Sequence, residues 1–308
     1  VEFMKKFISY TKSSYNIVKT NPWLCVPAIL LAGAGNYTRE TAEAEAANYT
    51  QLGGAERLTD AMGQLANMIS QTSLLTWVVF FFAAVLFVFA ATALAYIAYA
   101  WVSGAIIYGI QKARSGEKVH LSTISGHAIV HGRQLVVLQI KLTVRALVVI
   151  AGAISSSMII AGIQGLFRAI GIDGFISFAL VLISTLIIAI ASAYFLILLA
   201  LSAPVAIRLV VVKGLSSKLA LKRGMSIAKH FTLSCLGLAA GNTFLTIFAA
   251  ISFGVLSLFV PANFISLLLI GALSTVLFAA LRVITEANWN QHFEYLVKKE
   301  EAHTHVKI

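Results

Sequence analysis

The chain has 308 residues, 59% of them hydrophobic and only 11% charged, with a mean hydropathy of +0.89. Soluble globular domains carry about 25% charged residues, so this composition excludes one and indicates a polytopic membrane protein. The net charge of +11 does not indicate nucleic acid, because the basic residues flank apolar stretches instead of gathering on a solvated domain.

Residues 1–21 set Phe3, Phe7, Tyr10 and Tyr15 among Lys5, Lys6, Lys12 and Lys19. This pattern predicts a basic amphipathic helix at the inner membrane surface, with a solvated lead-in as the alternative. The stretch is too polar for the core of a secretory signal and has no small-residue cleavage pattern, so it is read as mature chain.

Windows without Asp, Glu, Lys or Arg run over 20–38, 61–111, 146–167, 174–207 and 230–281. They must contain the spans, since a charge at mid-bilayer costs about 2.5 to 3.5 kcal/mol. The last window is long enough for two helices turning at Pro261 and Asn263. The apolar run Leu74 to Ile110 has no Pro or Asn to turn on and is expected to be one helix longer than the bilayer, ringed in its second half by Tyr96, Tyr99, Trp101 and Tyr108. The first span, Pro22 to Gly35, is short and needs flanking residues to cross. Six spans with both ends inside leave only Arg39, Arg57 and Arg168 outside, out of 23 Lys and Arg. That asymmetry places both termini in the cytoplasm of a multi-pass cell-membrane protein.

The outer segment 36–73 is acidic, with Glu40, Glu43, Glu45, Glu56 and Asp60, and its helical spacing of Leu58, Met62, Leu65 and Met68 predicts a small cap. Asn36 and Asn48 each begin an Asn-X-Thr glycosylation triplet. On the inner segment after Ile110, His127 and His131 are four apart and share a helix face, but no third ligand follows at metal-site spacing, so no metal is predicted. Cys25 and Cys235 lie in apolar stretches and are expected to be buried thiols.

Ala203 to Phe231 is basic and acid-free, carrying Arg208, Lys213, Lys218, Lys222, Arg223 and Lys229. Leu221, Met225 and Ala228 follow helical spacing while the lysines take another face, which predicts a helix on the inner leaflet. Lys218, Lys222, Arg223 and Lys229 are the candidate residues for anionic lipid or a partner, each cation near anionic lipid contributing about 1 kcal/mol. Within the spans, Ser156, Asn242 and Thr246 are candidate cavity residues, and Gly237 and Gly241 have the spacing of close helix contact. Arg282 and Glu286, four apart, are expected to pair where the last span ends.

Three inner segments resemble one another, IVKTNPWL at Ile17, IVHGRQLV at Ile129 and IAKHFTLS at Ile227, and each precedes a span. The fold class is therefore all-α, a single membrane domain of six transmembrane helices arranged as three hairpins, each preceded by a basic amphipathic helix. The units are 1–21 with 22–110, 111–207 and 208–284, followed by an inner tail at 285–308.

The stretch PVAIRLVVVKGLSSKLALKRGMSIAKHF, Pro204 to Phe231, together with this layout resembles the membrane domain of the glycerophosphoryl diester phosphodiesterase membrane-domain family and related six-span prokaryotic proteins. The resemblance implies the six-span fold; that family's catalysis belongs to a separate soluble barrel, which this chain has no segment to form. No catalytic constellation or cofactor motif is visible. The expected function is a non-enzymatic membrane protein binding anionic lipid or a membrane partner, a second copy included, at the inner leaflet. The alternative is a small-molecule permease or exporter with a path near the third and fifth spans.

Overall fold

The computed structural model describes residues 2–31, 74–169, 175–257, 259–260 and 264–305. The outer cap at 36–73, both Asn-X-Thr triplets and the turn at Pro261 to Asn263 lie outside the described residues. Among the described residues there is no strand, and five helices are long and apolar enough to cross a membrane. The all-α membrane class is thus observed.

Helix α1, Glu2–Thr20, ends at Asn21 because the following Pro22 disfavours helical backbone at the residue before it. Pro22–Leu31 continues as a short apolar helix, α2, too short by itself to cross. Helix α3, Leu74–Arg114, is continuous for 41 residues, as its lack of a breaker predicts. It stops at Gly116, whose φ of +80° only glycine adopts without strain. In the connection that follows, Lys112 donates to Glu117 at 2.6 Å, and this bond with the Ser115 hydroxyl holds the Glu117 carboxyl below the usual carboxylate range.

Helix α4 runs unbroken over Leu121–Ala169. This corrects the expectation of a separate second surface helix. The first and third copies of the repeated segment end in helix breaks, at Asn21 and Phe231, whereas IVHGRQLV has neither a proline nor a break and leaves Ile129 exposed mid-helix. Its 49 residues at about 1.5 Å each exceed twice a hydrocarbon core of about 30 Å.

Helix α5, Phe175–Val211, carries Pro204 inside it and closes at Gly214, where the Leu215 and Gly214 amides cap the carbonyls of Leu209 and Val210. Helix α6, Ser217–His230, breaks at Phe231 before α7, Thr232–Ser257, and α8, Phe264–His305, completes the chain.

Each long helix divides into two regimes. In α3, side chains from Val79 to Leu94 are exposed and those from Ala100 to Ile110 buried, apart from the half-buried Trp101 and Tyr108; in α5 the change falls between Ile197 and Leu198, and in α8 between Val276 and Ala279. Helices α4 and α7 run the other way, buried near Leu135 and Leu138 and near Cys235 and Leu238, then exposed beyond. The buried halves form one base around Ile107, Leu138, Val205, Leu209 and Leu221, with a neighbouring cluster at Leu24, Ile106 and Ala287. Apolar arms of lipid-facing character project from it.

Candidate functional site

Arg208 is the largest fully buried side chain among the described residues. A lone guanidinium in such surroundings is untenable, and three bonds hold it. Its Nη1 donates to the Pro204 carbonyl at 2.8 Å, one helical turn back, and its Nη2 donates to the carbonyl of Glu286 at 2.7 Å and to Glu286 Oε2 at 2.6 Å. This ion pair joins α5 to α8 in the base. It also corrects the expected pairing of Glu286 with Arg282, which instead sits over the Tyr99 ring, 4.9 Å from its centroid. An arginine preceding its glutamate at four residues is the weaker orientation of a helical pair, and a bond from a facing helix replaces it.

Beside the pair opens a cleft of about 560 Å³ between α5 and α7, backed by α8 and Tyr99. Asn242, Thr243 and Thr246 of α7 line it, with Thr285, Glu286 and Trp289 of α8. The wall from α5 includes Ala200 and Pro204. Proline has no N–H, so the Ala200 carbonyl four residues back lacks its helical donor at the cleft wall. A second cavity of about 480 Å³, lined by Tyr96, Gln139, Leu142 and Thr143, shares Tyr99, Ala203 and Ile207 with the first as a common wall. Tyr96 there donates to Thr143 Oγ1 at 2.7 Å, so this tyrosine of α3 serves a contact between helices.

Behind the cleft a buried polar chain ties α1 to the base. Asn242 Oδ1 accepts from Asn288 Nδ2 at 2.9 Å, and Asn288 Oδ1 accepts from Ser14 at 2.8 Å. Gln291 adds bonds to Ser14 Oγ at 3.0 Å and the Tyr10 carbonyl at 3.3 Å. Burial, in part against the His292 ring, pushes the Tyr10 phenol above its ordinary value. One face of α1 is therefore committed to protein, while Met4, Ile8, Tyr15, Lys5, Lys12 and Lys19 face outward.

The residues picked out by sequence separate into three groups. Asn242 and Thr246 line the cleft, but Ser156 lies on the outer half of α4, and no cavity described includes it. Gly241 makes a close approach possible: a Cβ there would meet Phe7 Cε2 of α1 at 2.7 Å, whereas Gly237 is half-buried. On α6, Ala220, Leu221, Gly224, Ile227 and Ala228 face the base, leaving Lys218, Lys222 and Lys229 exposed and without an ion pair among the described residues. Arg223 differs, because Glu300 of α8 accepts from its Nε at 3.0 Å and its Nη2 at 2.7 Å.

His127 stacks on Tyr108 at 3.7 Å between ring centroids and stands 4.5 Å from His131. Among the described residues no group of three or more His, Cys, Asp or Glu is placed to hold a metal ion. Cys235 is buried and Cys25 half-buried, both as free thiols. Sequence reasoning missed the Arg208–Glu286 pair and the place of Trp289 at the cleft. The one available signal was a single arginine inside the apolar run PVAIRLVVV, four residues after a proline.

No protein-family model, curated protein or solved structure matches the chain.

Proposed function

We propose that this is a non-enzymatic, multi-pass cell-membrane protein that holds anionic lipid at the inner leaflet through the outward faces of α6 and α1. One observation carries the reading: both helices commit one face to the base and turn outward lysines that have no ion pair among the described residues, Lys218, Lys222 and Lys229 on α6 and Lys5, Lys12 and Lys19 on α1. On α1 the exposed Met4, Ile8 and Tyr15 accompany them, the combination that rests on a headgroup layer. Arg223, engaged by Glu300, drops out of the expected set.

The reading includes six crossings with both termini cytoplasmic, and kinship with the membrane-domain family on the strength of Pro204 to Phe231. Support for a sixth crossing comes from the placement of the described elements: α1 docks on the base, whereas α3 begins at the far end of its exposed half.

Native mass spectrometry of gently released protein tests the lipid reading. The parent should retain phosphatidylglycerol, and K218Q/K222Q/K229Q should retain clearly less, each cation being worth about 1 kcal/mol. Undiminished retention in the correctly inserted variant removes the proposal, and a stoichiometric protein in place of lipid replaces it with a partner.

A small-molecule permease or exporter is the second reading, favoured by the two cavities that share the wall of Tyr99, Ala203 and Ile207. Solute flux in proteoliposomes that persists when Ala203→Phe fills that wall would remove the route.

A further inference from the structure

The cleft beside Arg208 and Glu286 is lined mainly by acceptors. Glu286 spends Oε2 on Arg208, and its Oε1 has no hydrogen bond among the described residues, on a side chain still 17% accessible. The Ala200 carbonyl lacks its helical N–H because of Pro204. Thr246 and Thr285 donate their hydroxyl hydrogens to the carbonyls of Asn242 and Arg282, so what they offer the cleft is oxygen lone pairs. Of the unpartnered donors nearby, Arg208 Nε and Asn242 Nδ2 are wholly enclosed, while the Trp289 indole N–H and the Thr243 hydroxyl lie on the cleft wall. Trp289 and Tyr99 supply aromatic walls.

These acceptors, beside an indole and a phenol ring, suit a cation that carries N–H bonds. The ion pair already balances its own charge, so a ligand of zero net charge adds no uncompensated charge to the cleft. The opening lies where the base meets the arms, with Ile247 and Ala200 exposed at its edge and Phe244, Ile251 and Ile197 continuing as apolar surface. That surface suits an acyl chain.

We propose that this cleft binds the primary ammonium head of a zwitterionic phospholipid, which enters sideways from the bilayer between α5 and α7. The ammonium donates to Glu286, the Ala200 carbonyl and the threonine oxygens, with Trp289 at its side, and the chains lie along α5 and α7. A quaternary ammonium, lacking N–H, leaves those acceptors unmet. The site is separate from the exposed lysines of α6 and α1, and the two proposals fail independently.

The test is competitive retention from nanodiscs containing equal phosphatidylethanolamine and phosphatidylcholine, read by native mass spectrometry. Phosphatidylethanolamine should be held in preference by the parent. Trp289→Leu should lower its retention about thirtyfold, the weight of one desolvated cation–π contact with an indole. Thr243→Val, at an exposed position that leaves the fold intact, should lower it by a smaller factor, and K218Q/K222Q/K229Q should leave it unchanged. Equal retention of the two lipids, or full retention by both Trp289→Leu and Thr243→Val, overturns the proposal. Displacement of the lipid by millimolar phosphoethanolamine also overturns it, since a soluble headgroup would then suffice.

Discussion

Arg208 is a permanent charge with no access to solvent, and everything around it follows from that. Its burial is tolerated because Glu286 faces it at 2.6 Å and two backbone carbonyls accept its remaining contacts. Removing one partner strands the other. Arg208→Met should therefore destabilise the base by about 3 to 5 kcal/mol, whereas the double variant Arg208→Met, Glu286→Leu should recover much of the loss. Reversible unfolding in micelles measures both. Additive losses would mean that the two side chains are not energetically coupled. The same pair shows what the sequence withheld. Arg208 reads as one more topology-setting cation in a basic stretch, because a partner 78 residues away leaves no local trace, and a charge buried by three facing helices looks identical in sequence to one at an interface.

Helices meet the base through residues small enough to let backbones approach, and two of the close approaches differ in kind. At Gly224 of α6 an added Cβ would lie 3.0 to 3.2 Å from Ala206, including its backbone, which cannot yield. At Gly241 of α7 the obstacle is the ring edge of Phe7, which can swing aside. A glycine-to-alanine change in a helix gains up to about 1 kcal/mol of propensity, while overpacking costs about 1 to 3 kcal/mol. Gly224→Ala should be net destabilising and loosen α6, raising protease cleavage near Lys213 to Ser216. Gly241→Ala should be close to neutral. Equal effects would mean that α6 is not held by this contact.

Element boundaries were largely legible in the chain itself. Charge-free windows gave the long helices, the absence of a breaker gave one continuous α3, and the basic aromatic pattern of residues 1–21 gave α1. The second surface helix was misread because three short matching segments suggested three equal units, and only two of them end at a break. For the cleft, Asn242 and Thr246 stood out as polar residues in an apolar span; Ser156 had the same appearance and none of the surroundings. Composition identifies such residues but does not tell which face of a 49-residue helix they occupy.

At the scale of the molecule, α1, the start of α4, α6 and the last turns of α8 gather at one end of the base, so they share one side if the proposed six crossings hold. Single cysteines at Lys5, Ser115, Ser216 and Ala302 should then all be labelled by an impermeant thiol reagent from the cytoplasmic side, and Gly53→Cys from the opposite side. Labelling of Lys5→Cys and Ala302→Cys from opposite faces would require an odd number of crossings and end the six-span reading.

The division of each long helix into a buried half and an exposed half has a mechanical consequence. Arms that share no core are joined as the tines of a fork are, at one end only. A thicker or thinner bilayer changes their tilt to match its hydrocarbon depth, at a cost of fractions of a kcal/mol per Å. The base, held by Arg208 and the chain from Ser14 to Asn242, stays fixed. The cleft between α5 and α7 sits at the joint, so its width follows the splay of the tines, and lipid thickness becomes a setting of how wide that cleft stands.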